Sequence, residues 1–465
     1  MKAGIKRIGE MSSLICGSEP LEKKQRVGLW LLLLLSITFG VWVELRGALQ
    51  HTRKTDVGVY FRAAWAVRTG NDLYSVVDNR GWHYIYPPFF AILMSPLADP
   101  PSGMSRVGYM AYDVSLGIWY IVTLAMGVGG AHILAKALEE TSSDPSVRNQ
   151  PLFCQRWVAL RILPLLILLP AIGRGLMRGQ VDMPIAFLLC GVAASLLHKR
   201  RFRAGLWLAA TICIKIIPVL LLLLPVWRRD WRMICGVLVG LAFWLIIIPL
   251  SVMGPHRVFS SYQTFYAEVI SGGIAGNTGG RVGEELTGIT STDSNSPMVI
   301  MHNFIHPIRS IRPVVAADGV RLAHWLIALS LIIISLYAAG WRSSRHLFSG
   351  EVEANPREIL FLGVLLLTMF FGSPVFSPHY VSIAIPLVAV VLSILWDKYS
   401  YPMIPVSWKV LFWAVFVSHI LTSIDRGIFW YLRDFGLVLL TTLTLWGGCV
   451  FLLRRTAVEV HDSHA

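Results

Sequence analysis

Long apolar runs dominate this chain and alternate with short polar turns. Runs of roughly 20 apolar residues have the length that an α-helix needs to cross a bilayer. They predict spans at 28–47, 110–137, 157–173, 181–198, 232–252, 321–341, 358–374, 379–397, 407–424 and 430–453. We therefore expect an all-α polytopic membrane protein, in which one domain over 28–453 holds about 10–12 transmembrane helices and its outer loops carry further helices.

The apolar segment 204–227 departs from this pattern. Basic residues flank it on both sides, at 198–203 and at 227–232, and basic flanks favour the cytoplasm. The segment also holds Lys215 and Pro218 near its middle. We interpret it as a re-entrant or broken helical hairpin, which is tolerated where protein covers the freed backbone groups. A simple crossing with one misplaced flank is the alternative.

The basic residues also set the expected topology. The tails 1–27 and 454–465 carry basic residues beside the membrane and are expected inside, so that the outer loops are 48–109, 253–320 and 373–379. Arg174 and Arg178 then lie outside against the charge rule, and an anionic ligand would explain them. In the second outer loop, the glycine-rich stretch 271–296 is typical of a flexible binding loop.

Composition supports the membrane assignment and excludes other classes. The chain is 55% hydrophobic and 15% charged, whereas soluble domains have about 25% charged residues. Its net charge of +14 comes from 41 basic and 27 acidic residues. Most of the excess lies in short turns between spans, so we expect no nucleic-acid partner. The six cysteines form no C-x-x-C pair, and we expect them to pack as small apolar residues.

The first outer loop carries the residues most suited to chemistry. Asp56 lies about nine residues beyond the first span, near the expected outer surface. It is either the N-cap of the helical pattern that follows or a general base that accepts a proton from a hydroxyl. Trp82, Tyr84 and Tyr86 belong either to an interfacial aromatic belt or to a surface that stacks on a sugar. Pro87-Pro88 predicts a short interfacial helix over 89–97.

This loop resembles the first outer loop of the family 87 glycosyltransferases. The matching residues are Asp56, Val59-Tyr60, Ala63-Ala64, Gly70, Asn71-Asp72, Leu73-Tyr74 and Tyr84-Ile85-Tyr86-Pro87-Pro88. The resemblance implies a GT-C-like integral membrane mannosyltransferase that uses a polyprenyl-phosphate sugar. It also implies that Asp56 is the catalytic base.

Later segments resemble the same family in the same order. Gly179-Gln180 fits its Gly-Gln-(Val/Ile)-Asn, although Asp182 departs from the usual Asn. Lys215 fits Lys-x-x-Pro, Asn295-Ser296 fits loosely, and Ser373-Pro374, Ser377 and His379-Tyr380 fit the start of a late span. We expect Arg178, Lys215 and His379 to bind the donor phosphate. We also expect substrate contacts from Tyr60, Tyr84, Tyr86, Gln180, Asn295, His302 and Tyr380.

Plain structural roles remain open for these residues. Arg178 could snorkel, Lys215 could pair with a buried carboxylate such as Asp113, and His379 could be a hydrogen-bonded core residue. His302 and His306 could share a helix face, but two histidines do not make a zinc site. We expect no metal site and no required cofactor, while the sequence leaves dependence on a divalent metal open.

The predicted activity is inverting transfer of a hexose, with mannose as the sugar, on the extracytoplasmic face of the plasma membrane. The partners would be a polyprenyl-phosphate donor, a lipid or glycan acceptor and membrane lipids; a protein acceptor stays open. A transporter or flippase of lipid-linked sugars is the alternative. It predicts ion-coupling charges within several spans and an inverted repeat, and the sequence shows neither.

Overall fold

The structure is a computed structural model that describes residues 22–49, 56–271, 294–340, 356–399, 404–424 and 427–462. The described part is built of helices, with one isolated β-bridge between Val77 and His83. The prediction of an all-α membrane protein is confirmed. Most of the predicted flexible loop, residues 272–293, lies outside the described residues.

Helices long and apolar enough to cross a bilayer form the frame. Five qualify in the described residues: Tyr112–Glu140, Trp231–Met253, Asp318–Ala339, Pro378–Lys398 and Leu437–Arg455. Gln155–Ile167 and Leu169–Arg178 make a sixth if the pair, bent by 60°, counts as one span. Several other predicted spans form shorter apolar helices, such as the 16-residue Asp182–Leu197. At 1.5 Å per residue that helix is about 24 Å long, less than the hydrocarbon core of about 30 Å.

The remaining helices connect or brace this frame. The first is Lys23–Leu49, and the helix of the last span extends over Leu437–Asp462, past the predicted boundary at 453. The others are Val57–Thr69, Pro88–Leu93, Pro145–Arg148, Arg201–Ile214, Leu223–Arg228, Pro255–Thr264, Pro297–Ile305, Pro356–Gly372, Val406–Leu421 and Ile428–Asp434. The Pro378–Lys398 span lies at the centre, with 94% of its apolar window buried.

The first outer loop folds back into the protein. Its helix Val57–Thr69 is buried around most of its circumference and ends at Gly70, whose φ of +82° only glycine adopts at low cost. A second helix, Pro88–Leu93, starts at the predicted Pro-Pro and continues into the 3₁₀ turn Ser95–Leu97. Both predicted loop helices are confirmed. They place Tyr60, Tyr84 and Tyr86 inside the protein, whereas polar residues such as Asn71 and Asp72 stay exposed.

The segment 204–227 is a broken hairpin. Its first helix, Arg201–Ile214, ends at Lys215, which is extended with φ −144° and ψ 131°. The chain then returns through the 3₁₀ helix Ile217–Leu222 and Leu223–Arg228. Arg201 Nη1 lies 3.6 Å from Asp230 Oδ2, so both flanks reach the same end of the molecule. This geometry supports the hairpin over a simple crossing and places Lys215 at its tip.

Close glycine contacts fix the hairpin against the next span. A Cβ added at Gly205 would collide with the Met233 carbonyl oxygen, and one at Gly240 would press on the Ala209 side chain. These contacts pair Arg201–Ile214 with the start of Trp231–Met253 in parallel orientation. Because the two backbones nearly touch, the hairpin tip is held at a defined depth.

Candidate active site

Asp56 stands immediately before the helix Val57–Thr69 but does not cap it. Its side chain accepts no hydrogen bond from that helix. Instead, Asp56 Oδ2 accepts a 2.6 Å bond from Gln180 Nε2, and Oδ1 accepts a 2.9 Å bond from Arg80 Nη2. The carboxylate is therefore oriented by two distant side chains. The structure thus argues against the N-cap that the sequence left open.

A tight turn delivers Gln180 to Asp56. Gly179, which ends the helix Leu169–Arg178, has φ +68°, and Gln180 N donates to Gly175 O at 2.9 Å. The Gly179 carbonyl accepts a 2.8 Å bond from Trp119 Nε1. A Cβ at Gly179 would collide with Val57, the residue after Asp56. The glycine thus permits both the turn and the close approach of the two segments.

Buried tyrosines extend the network inward. Tyr60 donates to Gln180 Oε1 at 3.2 Å, and its Oη lies 3.1 Å from Tyr86 Oη. Desolvation raises the pKa of Tyr60 well above its usual range and that of Tyr86 to about 12. Both hydroxyls are therefore protonated at neutral pH and can donate. Their burial argues against an aromatic belt, whose rings lie at the lipid–water boundary.

Tyr84 holds the loop together. Its ring is fully buried, and its hydroxyl donates a 2.8 Å bond to the Pro87 carbonyl. The Tyr86 carbonyl in turn accepts a 2.9 Å bond from the Tyr74 hydroxyl. With 0% of its surface exposed, Tyr84 offers no open ring face for a sugar in this structure. A substrate contact from Tyr84 stays a prediction.

Lys215 and His379 meet on the far side of these tyrosines. Lys215 Nζ lies 3.9 Å from the centroid of the Tyr380 ring, a cation–π contact. The carboxylate whose charge acts most strongly on Lys215 is Asp182, while Asp113 is half-exposed on the span Tyr112–Glu140. His379 Nδ1 lies 2.6 Å from Asp182 Oδ2. A histidine and a carboxylate this close form a strong hydrogen bond.

Two of the cations predicted for donor phosphate lie within electrostatic range of the third. The charges of both Arg178 and Lys215 act on the His379 imidazole. Lys215 and Asp56 both act on Tyr86. The Asp56 network, as we call it, therefore comprises Asp56, Arg80, Tyr60, Tyr86, Gln180, Asp182, Lys215, His379 and Tyr380, with Arg178 beside it.

Two members of this network were not assigned from the sequence. Arg80 binds Asp56, and Asp78 supports it by accepting from the Arg80 and Trp82 backbone N–H groups at 2.8 and 2.9 Å. The sequence signal that could have identified Arg80 was the Asp-x-Arg pattern in the loop after Asp56, the candidate base. Asp182, noted only as a departure from Asn, is the partner of His379. Its other oxygen, Oδ1, is buried without a hydrogen-bond partner in the described structure.

Asn295 and His302 make their observed contacts with residues outside the Asp56 network. Asn295 is fully buried, and its N–H donates a 2.6 Å bond to the Phe376 carbonyl in the turn before His379. His302 Nε2 lies 3.0 Å from the Pro313 carbonyl, and its ring packs on His306. These contacts brace the second outer loop. Substrate roles for both residues stay predictions.

Within the described ranges, no group of three or more His, Cys, Asp or Glu side chains could hold a metal ion. His302 and His306 are neighbours without a third ligand in that part of the chain. The expectation that no metal is required stays a prediction.

Comparisons with known proteins place the chain in a family. No curated protein matches it. Among solved structures, it is similar to ArnT from Cupriavidus metallidurans bound to undecaprenyl phosphate, with 15% identity and a TM-score of 0.40. That alignment covers 90% of this chain and 77% of the other, and at this score it carries no conclusion about function. The family model "Glycosyltransferase family 87" matches residues 84–378, more than half of the 465-residue chain, so this protein belongs to glycosyltransferase family 87.

Proposed function

We propose that this membrane glycosyltransferase transfers mannose from a polyprenyl-phosphate donor to a lipid or glycan acceptor. The site would face the extracytoplasmic side of the plasma membrane. The observation that carries the proposal is a single network with Asp56 at one end and Lys215 and His379 at the other. A carboxylate suits the acceptor hydroxyl, and a cluster of cations suits a phosphate that gains charge as it leaves.

In this proposal Asp56 acts as the general base. Its side chain is 32% exposed, whereas those of His379 and Asp182 are 4% and 1% exposed. Each of its oxygens accepts one bond from Gln180 or Arg80 and keeps a second lone pair for an acceptor hydroxyl. Arg80 and Gln180 fix the direction of the carboxylate, so little reorganisation is needed before proton transfer.

The proposed reaction is one displacement at the anomeric carbon. Asp56 takes the proton of the acceptor hydroxyl, whose oxygen forms a bond to that carbon. The bond from the carbon to the phosphate oxygen breaks, and the lipid phosphate leaves with the electron pair. Attack opposite the leaving group inverts the configuration. Lys215, His379 and Arg178 stabilise the charge on the departing phosphate.

A transporter of lipid-linked sugars is less well supported. Such a protein would distribute ion-binding charges along several spans. Here Asp56, whose oxygens are both held by side chains, lies in a cluster with Asp182 and His379, as expected for a site of group transfer.

The base is tested by substituting Asp56. Asp56→Asn keeps the size of the side chain but removes the proton acceptor, so we expect transfer to fall by about 10²–10⁴-fold. The assay measures radiolabel moved from polyprenyl-phosphate mannose into lipid and glycan fractions of membranes from expressing cells. A polyprenyl-phosphate glucose donor in parallel tests the sugar.

The matched control is Asp318→Asn, which removes a carboxylate that is 92% exposed and that, among the described residues, pairs with a neighbouring arginine on its own helix. It should retain wild-type transfer at equal expression. Asp56→Asn activity within threefold of wild type would remove Asp56 as the base. Absence of transfer by the wild-type protein from either sugar donor would contradict the donor class.

A further inference from the structure

A cavity lies at the end of the molecule opposite the Asp56 network. It has a volume of about 300 Å³ and lies between the helices Tyr112–Glu140, Asp182–Leu197 and Arg201–Ile214. Asp182, a member of the network, begins the middle helix, whereas Ala194 and Ser195 near the end of that helix line the cavity. At 1.5 Å per residue the separation is roughly 20 Å. The proposed transfer reaction therefore does not use this space.

The walls of the cavity are apolar and continue a lipid-facing surface. Ile133, Phe187 and Trp207 line it. Ile133 is 39% exposed, on a helix where Ile121 and Val128 are 66% and 52% exposed. Gly191 leaves room for Trp207, because a Cβ there would lie 2.8 Å from the indole ring. A hydrocarbon chain from the bilayer can therefore reach this wall without crossing a polar barrier.

The rim of the cavity is cationic. Lys136, Arg200 and Arg203 line it, together with Glu140 and His198. Glu140 lies 3.6 Å from Lys136 and 3.4 Å from His198, so its charge is largely compensated. In the part of the chain that the structure describes, no ion pair is found for Arg200 or Arg203, and both are exposed. The rim thus offers uncompensated positive charge.

The backbone adds to this potential. Arg200 and Arg203 lie at the start of the 14-residue helix Arg201–Ile214, whose first turn holds no acidic residue. The unpaired N–H groups and the dipole at a helix N-terminus favour an anion. Arg200 at the N-cap and Arg203 in the first turn both line the cavity. Three independent features, namely the apolar wall, the free arginines and the helix start, therefore meet in one cavity.

We propose that this cavity binds an anionic phospholipid from the leaflet that borders the basic turns. Its phosphate lies between Arg200 and Arg203, and one acyl chain lies against Phe187 and Trp207. Basic pockets between transmembrane helices at this level suit anionic headgroups. A zwitterionic lipid would place its own cation beside the arginines, and inorganic phosphate would leave the apolar wall unfilled. The proposal does not depend on the identity of the sugar donor.

The test uses the full chain, purified in a neutral detergent and titrated with phosphatidylglycerol or phosphatidylcholine. Native mass spectrometry counts retained lipid, and thermal unfolding reports stabilisation, since a ligand that binds only the folded state raises Tm. Wild type should retain phosphatidylglycerol in preference to phosphatidylcholine and melt at a higher temperature with it. Inorganic phosphate alone should leave the Tm unchanged.

Two variants and a control locate the site. The double variant Arg200→Gln/Arg203→Gln should weaken phosphatidylglycerol binding at least tenfold and leave phosphatidylcholine binding unchanged. Arg148→Gln removes an exposed arginine on the short helix Pro145–Arg148, outside the cavity lining, and should bind lipid like wild type. Ala194→Phe should block the cavity without a change of charge.

Several results would overturn the proposal. Equal retention of both lipids, an equal loss in Arg148→Gln, or a Tm shift with inorganic phosphate alone would each show that no specific lipid site exists here. If Ala194→Phe shows no cooperative melting, the arginine double variant against Arg148→Gln decides the question.

Discussion

The role of Asp182 is apparent only from its hydrogen-bond partner. In sequence it only departs from the asparagine that the family resemblance leads one to expect. In the structure its Oδ2 lies 2.6 Å from His379 Nδ1, and Gly175 makes room for it, since a Cβ there would lie 2.9 Å from that same oxygen. Holding Nδ1 directs the other ring nitrogen, Nε2, away from Asp182. We therefore regard Asp182 as a positioning residue for His379.

This role predicts a split between two substitutions. Asp182→Asn keeps an oxygen that can accept from Nδ1–H, so we expect transfer to stay within about threefold of wild type. Asp182→Ala leaves a buried histidine nitrogen unpaired, which costs about 1–3 kcal/mol. If that cost falls on the transition state, the rate drops about tenfold or more. The measurement is kcat and KM for the lipid-linked donor at several pH values.

The pH profile separates positioning from plain stability. Loss of the carboxylate should shift the profile of Asp182→Ala, because the histidine then titrates without its partner. Equal activity in Asp182→Ala and wild type would contradict the role. If a lower melting temperature fully accounts for the loss of transfer activity in Asp182→Ala, the Asp182–His379 pair has only a structural role.

At the scale of elements, the turn after the helix Leu169–Arg178 is decisive. It carries Gln180 to Asp56 and lets Asp182 begin the next helix toward His379. Gly179 meets two demands there: a left-handed φ of +68° and contact with Val57. One small residue therefore couples the proposed base to the proposed phosphate end of the site.

We predict that Gly179→Ala disturbs both stability and transfer. The left-handed backbone costs an alanine about 1–2 kcal/mol, and the collision with Val57 adds to that cost. Gly103→Ala is the matched control, because Gly103 has φ +87° but nothing within 4 Å of an added Cβ. We expect Gly179→Ala to lower Tm further than Gly103→Ala and to reduce kcat at least tenfold. Similar Tm and kcat values in the two variants would show that packing on Val57 is unimportant.

The broken hairpin over 204–227 shows that contacts distant in sequence also decide the conformation of a whole segment. Its composition fits either a crossing or a re-entrant loop. The contact between Arg201 and Asp230, together with the glycine contacts to the next span, selects the loop. The break at Lys215 leaves the ammonium at the hairpin tip, over Tyr380.

At the scale of the whole molecule, polar chemistry is concentrated at two ends. The Asp56 network occupies one end, and the basic turns with the proposed lipid cavity occupy the other. Apolar helices separate them, and the central Pro378–Lys398 span is almost wholly buried between. Under the two proposals, one end would bind a lipid-linked sugar donor and the other an anionic phospholipid.

The hairpin predicts a sidedness that labelling can measure. Phe202→Cys and Trp231→Cys lie at its two flanks, where the native side chains are 45% and 68% exposed. In a background with the native cysteines removed, both should react from the same side of the membrane with an impermeant thiol reagent. Val107→Cys, in the first outer loop and 88% exposed in the native protein, should react from the other side. Opposite labelling of positions 202 and 231 would show a simple crossing.

The sequence by itself determined the class of the protein and much of its chemistry. Apolar runs of bilayer length leave no alternative to membrane helices, because unpaired backbone groups are too costly in lipid. The helical pattern after Asp56 predicted the helix at 57–69, and Pro87-Pro88 predicted the short helix that the structure has at 88–93. The motif carrying Asp56 pointed to the family to which the chain belongs. These properties are local, so they can be read along the chain.

Only the tertiary structure decided which residues meet. Asp56 lies 124 positions from Gln180, and Asp182 lies 197 from His379. Their contacts depend on how helices pack, and one-dimensional periodicity does not encode that packing. For the same reason, the sequence did not show that Arg80 binds Asp56. Nor did it show that Tyr84 and His302 make contacts that hold the loops in place. A side chain's chemistry is fixed by its type, but its role depends on the partners that long-range packing brings to it.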